Sequence, residues 1–218
     1  MKIIWHGQSL FEIITAPKQG DEIKIVIDPF DESLGLKIPK LTAHLLLVSH
    51  NHYDHSNVKA VSGEPFLIEG PGEYEVKGVY IKGIPAFHDN SSGKERGQIT
   101  IFTIETEEIK ICYLSDIGQK ELTEEQLEAI GEVNILMIPV GEVYTVEAKE
   151  AAGIIKQIEP QIVIPMHYKI PKLKEKLEDL EKFLKVVGVK NPEHLDKLSI
   201  KKKDLAVEGE MKIIVLEP

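Results

Sequence analysis

The apolar run Leu45-Leu46-Leu47-Val48 passes directly into Ser49-His50-Asn51-His52-Tyr53-Asp54-His55-Ser56. A short continuous apolar run of this kind reads as a strand buried on both faces. It delivers three imidazoles and a carboxylate to the loop at a sheet edge. Neutral imidazole and carboxylate are ligands that suit Zn, Mn or Fe(II). Adjacent side chains point in different directions, so four ligand-type residues this close do not share one relaxed coordination sphere. Dividing them between two neighbouring metals removes the conflict, and such a pair clamps a hydroxide for hydrolysis.

The rest of the chain supplies a scaffold for that edge. Ile3 to Trp5, Leu10 to Ile14 and Ile23 to Ile27 are β-branched and apolar, punctuated by Gly7 and by residues 17–21. Phe66 to Ile68, Tyr74 to Val76 and a strand from Val79 to Phe87 follow, separated by glycine turns. Gln98 to Glu105 and Ile109 to Leu114 read as an antiparallel hairpin turned by Glu107-Glu108. Thr123-Glu124-Glu125-Gln126 resembles a capping box opening a short helix to Ile130. Asn134 to Val140 and Gln161 to Pro165 are buried strands, with a helix from Thr145 to Pro160 between them. Apolar residues at Leu173, Leu177, Leu180, Phe183 and Leu184 predict an amphipathic helix over 171–187. Met211 to Leu216 closes the chain as a strand. Strands first, then alternating strands and helices, predict sheets packed on each other with helices outside.

Length and composition limit the function. With 218 residues, 42% of them hydrophobic, the chain has enough material for one sizeable core, and a single domain over 1–218 is expected. No apolar stretch reaches membrane-span length, and the apolar part of residues 1–7 is too short for a signal peptide, so a cytoplasmic protein is expected. Cys112 is the only cysteine and lies inside an apolar strand, as a small core residue would. The net charge of −10 repels polyanions, so extended nucleic-acid binding is not expected.

Four more residues stand where a buried strand gives way to a loop: Asp28, His88, Asp116 and His167. Together with the His50–His55 segment they make the chain resemble the metallo-β-lactamase-fold hydrolases. Within these it is similar to the small branch that includes ascorbate-phosphate lactonase-like proteins. The resemblance runs from His6-Gly7-Gln8-Ser9 to His167-Tyr168 and fills all seven ligand positions in order. It implies an α/β (α+β) four-layer αββα sandwich. It also implies that His50, His52 and His88 hold one metal, that Asp54, His55 and His167 hold a second, and that Asp116 bridges them. Asp28 matches an aspartate that orients a ligand histidine. Two segments depart from the branch: Gly7-Gln8-Ser9 stands where a Gly-His-Ser is common, and Gly141-Glu142-Val143-Tyr144 where paired glycines are.

The function implied is hydrolysis of a small anionic ester, phosphoester or lactone by a hydroxide shared between two divalent ions, most simply zinc, with Mn or Fe as alternatives. Asp54 is expected to be a ligand that also handles the proton of the water. His6, Tyr168 and Arg96 are candidates for the pocket wall or for substrate contact. Arg96, the only arginine, either presents its planar fork to an anion or pairs with Asp89 or Glu95 and shapes the turn. Competing functions are a metal-binding scaffold or sensor without turnover, a nuclease of the same fold, and redox chemistry at a di-iron centre. The expected partner is a small-molecule substrate; a homo-oligomer is compatible with the sequence, and a membrane is not.

Overall fold

The computed structural model describes residues 1–17, 22–205 and 211–218, so most of the expected turn over 17–21 lies outside the described residues. Strands β1 (Lys2–Trp5), β2 (Phe11–Thr15) and β3 (Ile23–Ile27) form an antiparallel meander. β4 (Leu41–Thr42) and β6 (Val61–Ser62) make a small parallel pair. β5 (Leu45–Leu47) and β7 (Phe66–Ile68) extend the meander in parallel with β3. β8 (Gly72–Val76), β9 (Val79–Phe87), β10 (Gln98–Thr106) and β11 (Ile109–Tyr113) are antiparallel and begin a second sheet. β12 (Ile135–Pro139), β13 (Ile162–Met166), β14 (Glu193–Leu195) and β16 (Lys212–Leu216) complete it in parallel. β15 (Leu198–Ser199) crosses back to pair with β1. The sheet orders are β15-β1-β2-β3-β5-β7 and β14-β16-β13-β12-β11-β10-β9-β8.

The apolar run at Leu45 is buried on both faces because two cores meet across it. Leu45 and Leu47, with Ile25 and Ile27 of β3, face the main core between the sheets. Leu46 and Val26 face a second cluster with Leu10, Phe30, Leu34 and Val61. The strand period of two sorts them. Three α-helices occur among the described residues: α1 (Glu124–Ile130), α2 (Ala148–Ile158) and α3 (Leu180–Val187). α1 packs against β9 and α2 against β12, so both cover the second sheet, and α3 packs against α2. The outer layer of the first sheet is made of loops and 3-10 turns instead of an α-helix, which thins the expected four-layer sandwich on that side.

Local expectations fared unevenly. The capping box is present, with Gln126 N–H donating to Thr123 Oγ1 at 3.2 Å and Thr123 N–H to Gln126 Oε1 at 3.0 Å. Glu107 and Glu108 turn the β10–β11 hairpin with φ of 51° and 60°, as a tight primed turn requires. Glu107 does more than turn the chain: its carboxylate accepts from Thr15 Oγ1 and Ala16 N–H, both at 2.7 Å. Helix α2 begins at Ala148, three residues after the expected Thr145. The helix expected over 171–187 exists only from Leu180. Residues 171–179 spend their backbone on other loops, with Lys174 N–H on Leu34 O (2.8 Å) and Glu178 N–H on Gly141 O (2.9 Å).

Candidate metal centre

β3 and β5 run parallel in the first sheet, and β9, β11 and β13 run in one direction in the second. Their C-terminal ends meet at one edge, the usual place for a site in such sheets. Asp28 follows β3, His50 follows β5, His88 follows β9, Asp116 follows β11 and His167 follows β13. The backbone is forced at three of these ends. Asp28, Ser115 and His167 have φ of 48°, 52° and 51°, a left-handed conformation that is uncommon outside glycine.

The ligand-type atoms of His50, His52 and His88 lie within 4.8 Å of one another, and those of Asp54, His55, Asp116 and His167 form a second such group. Asp116 Oδ2 stands between the groups. It is 3.1 Å from His55 Nε2, 3.3 Å from His167 Nε2 and 3.6 Å from His88 Nε2. His50 Nε2 and His52 Nδ1 approach to 3.0 Å. An N–H on either nitrogen makes this a hydrogen bond; with none, both lone pairs face a common point.

A network of polar bonds fixes which nitrogen His55 and His50 present. Asp28 is fully buried. Its Oδ2 accepts from His55 Nδ1 (2.9 Å), Tyr113 Oη (2.6 Å) and Ser49 Oγ (2.5 Å), and its Oδ1 accepts from Ser49 N–H (2.7 Å). Asp28 also groups with His50 and His55 by distance, but these four donors occupy its carboxylate. His55 thereby turns Nε2 toward Asp116. Ser49 Oγ gives its proton to Asp28, accepts one from Ser115 Oγ at 2.6 Å, and so accepts His50 Nδ1–H at 2.9 Å, leaving His50 Nε2 with a free lone pair.

The N-terminal turn is the part that sequence reasoning missed. Gln8 is fully buried with φ of 51°. Its Nε2 donates to Asp54 Oδ2 at 3.0 Å, and its carbonyl accepts His167 N–H and Trp5 Nε1–H, both at 3.0 Å. Ser9 Oγ reaches Asp116 Oδ1 at 3.4 Å. One turn therefore touches three residues of the second group. Two glycines are equally committed. A Cβ on Gly118 would sit 2.4 Å from the His88 carbonyl, and one on Gly141 would sit 2.1 Å from the His167 oxygen.

Electrostatics agree with a cation site. Burial, then the charge of neighbouring His55, pushes His50 down to about 2. Burial also lowers His88, against the pull of Asp116. Burial opposes charge on Asp116, yet His167 and His55 hold it well below the usual carboxylate range. Burial likewise opposes charge on Asp54, but His55 and His167 lower it. Burial disfavours the His55 cation, but Asp116 and Asp54 more than reverse this and raise it well above the ordinary value. A proton and a metal therefore compete for His55 Nε2. His55 Nε2, His88 Nδ1 and both ring nitrogens of His167 are buried without a hydrogen-bond partner among the described residues. Of these, His55 Nε2 and His167 Nε2 face the Asp116 carboxylate, a placement that a divalent cation satisfies, and the donor set fits one.

Of the three candidates for the pocket wall, His6 and Tyr168 lie outside the cleft and Arg96 lines it. His6 Nε2 is 3.6 Å from Glu12 and outside the lining of the cleft over the cluster. Tyr168 is buried on Trp5, with ring centroids 5.0 Å apart, and is outside the lining of the cleft. Arg96 does line the cleft, a space of about 320 Å³ shared with His52, Tyr53, Asp54, His88, Asp116, Tyr144 and Glu175. His44 Nδ1 accepts from Lys24 N–H and His194 pairs with Glu217, both away from the cluster. Cys112 is buried, and burial pushes its thiol up to about 12. Among the described residues, no helix is long and apolar enough to cross a membrane.

Comparison with known proteins agrees with this geometry. The beta-lactamase superfamily domain profile matches residues 2–167. A UPF0173 metal-dependent hydrolase of Thermococcus onnurineus is 30% identical, over 87% of this chain and 93% of the relative. A Thermotoga maritima structure described as a Zn-dependent hydrolase of the metallo-beta-lactamase superfamily is 36% identical, with a TM-score of 0.79 over 99% of this chain and 97% of that one. A metallo hydrolase of Ignicoccus hospitalis, at 20% identity and a TM-score of 0.64 over 100% of this chain and 95% of that one, shares the fold. This chain belongs to the beta-lactamase superfamily and, within it, to the UPF0173 metal-dependent hydrolases.

Proposed function

We propose that this protein is a hydrolase that works with two adjacent divalent ions, zinc first among them, on a small anionic ester, phosphoester or lactone. The observation that carries the reading is Asp116 Oδ2, surrounded within 3.6 Å by imidazole nitrogens of both groups. His50, His52 and His88 would hold one ion, Asp54, His55 and His167 the other, and Asp116 both. When bound, such a pair supplies a water acidified toward neutrality and positive charge for the oxygens of the electrophile. The chain's own residues do the rest. Asp28 and Ser49 keep His55 and His50 in the tautomers that face the cluster. Gln8 holds Asp54 Oδ2, so Oδ1, which makes no hydrogen bond among the described residues, remains to take a proton at the cleft. The cleft volume of about 320 Å³ suits a small substrate. A net charge of −10 disfavours a polynucleotide.

The test is metal reconstitution followed by elemental analysis and a panel of phosphodiesters, phosphomonoesters, lactones and thioesters. Two equivalents of metal are expected, with turnover that is lost to a chelator and in His52→Ala. Stoichiometry that never exceeds one refutes the paired site. Turnover surviving both treatments, or no turnover across the panel with two metals bound, refutes the hydrolytic role.

A further inference from the structure

The loop between His88 and β10 is built around Asp89. Its Oδ1 accepts the N–H groups of Ser91 and Gly93, both at 2.8 Å, and its Oδ2 those of Glu95 (3.0 Å) and Arg96 (2.8 Å). The Glu95 carboxylate is taken by Ser91 Oγ. Both acids that the sequence offers Arg96 as partners are thus engaged elsewhere. Among the described residues the guanidinium makes no ion pair, in a chain with 36 acidic residues. It lies instead over the Tyr144 ring, 4.8 Å from the centroid, on the wall of the metal cleft.

Tyr144 is placed there by a forced loop. Glu142 and Val143 have φ of 56° and 34°, and for a β-branched valine that is a true outlier. The Glu142 carboxylate anchors the loop through Ala148 N–H (3.1 Å) and Lys182 Nζ (2.6 Å). Also lining the cleft, the Tyr53 hydroxyl bonds Glu175, so a second wall carries negative charge. A guanidinium held over a ring by its cation–π attraction still has N–H groups to offer an oxyanion.

We propose that Arg96, seated on Tyr144, is the anchor for a non-reacting carboxylate or phosphate group of the substrate, which directs that end away from Glu175 and lays the scissile bond over the cluster. The orientation of the scissile bond rests on the hydrolase reading; the binding of an oxyanion at Arg96 does not. Because Arg96 is the only arginine, zinc-reconstituted protein carrying isotopically labelled arginine gives one Nε–H resonance to watch. Acetate and methylphosphonate are expected to shift it saturably, and neutral acetamide is not. The tighter of the two anions names the group. Arg96→Lys keeps the charge and loses the fork, so it is expected to weaken anion binding by about tenfold with zinc content unchanged. Tyr144→Ala is expected to weaken binding as well. A resonance unmoved by either anion, or anion affinity unchanged in Arg96→Lys because the ions alone hold the probe, overturns the anchor. A protein that binds the anion through Arg96 but hydrolyses nothing refutes the hydrolase reading instead.

Discussion

Asp28→Asn isolates the role of the bonds behind the proposed metal ligands. Asparagine has the same shape and tolerates the left-handed backbone, here φ of 48°, so neither volume nor strain changes. What changes is acceptor capacity. Oδ2 accepts three donors and Oδ1 one. If the amide oxygen keeps the three-donor side, the new NH₂ faces the Ser49 N–H and leaves it unpaired in the core. An unsatisfied buried donor costs about 1–3 kcal/mol, and each of the remaining bonds falls from charge-assisted to neutral, a loss of about 1 kcal/mol apiece. The metal-free protein should therefore lose about 4–6 kcal/mol, a large share of the roughly 5–15 kcal/mol of a folded domain. His55 also loses the charge that fixes its tautomer, and zinc affinity should fall by about 10–100-fold. Denaturant unfolding of metal-free protein measures the first effect, and competition with a chelator measures the second. On the proposed assignment, the equivalent held by Asp54, His55 and His167 should be lost before the one held by His50, His52 and His88. Stability within about 1 kcal/mol of the parent, together with unchanged zinc affinity, would refute the assignment of Asp28 as the orienting group.

Gly141→Ala places a Cβ 2.1 Å from the His167 oxygen and should reduce both zinc content and melting temperature. Gly153→Ala, with open space around it inside α2, should instead raise stability by about 1 kcal/mol and leave zinc content alone. Asp116→Ala should weaken both metal equivalents, and elemental analysis showing one of them intact would exclude a shared ligand. Burial opposes ionisation of Asp89, yet four backbone N–H groups, that of Arg96 foremost, hold its pKa down to about 2 from 3.8. Its folded-state pKa is depressed, so its contribution is full above the ordinary value and is lost as pH falls through about 2. Amide exchange at Ser91, Gly93, Glu95 and Arg96 should therefore stay slow at mildly acidic pH, and protection already lost there would count against the Asp89 cradle.

The strand-end residues were legible because each combines an apolar run, which fixes a buried strand, with a ligand-type residue immediately after it. The hairpin and the capping box were legible because their determinants lie within a few positions of one another. Residues 171–179 were not. Leu173, Leu177 and Leu180 have helical spacing, but the backbone between them answers to Leu34 and Gly141, partners remote in sequence. Reading that stretch as helix hid Glu175, which meets Tyr53 at the cleft. Gln8 was visible only as a departure from a common histidine. That an amide there donates to Asp54 depends on a turn geometry that no local pattern encodes. Ser49 and Ser115 carried a faint signal, small hydroxyl residues each abutting a ligand at a strand end.

Because the cluster is assembled from both sheets, its geometry depends on their relative position. His50, His52, Asp54 and His55 hang from β5, whereas His88, Asp116 and His167 hang from β9, β11 and β13. The apolar core between the sheets is non-directional and tolerates small slides, whereas catalytic positions do not. Directional bonds across the gap supply the missing register. Tyr113 Oη reaches Asp28, Ser115 Oγ reaches Ser49 Oγ, and Thr100 N–H reaches the Ser49 carbonyl at 2.9 Å. All three join the sheets at residues one or two positions from a ligand, or at the aspartate behind one. Polar bonds in a buried position add little net stability relative to apolar packing. Their value here is positional, and it explains why hydroxyl side chains stand where a core would otherwise take valine or leucine. On this argument, replacing Ser115 with alanine should leave the fold intact and broaden or displace the metal site, an effect visible in zinc affinity before it is visible in unfolding.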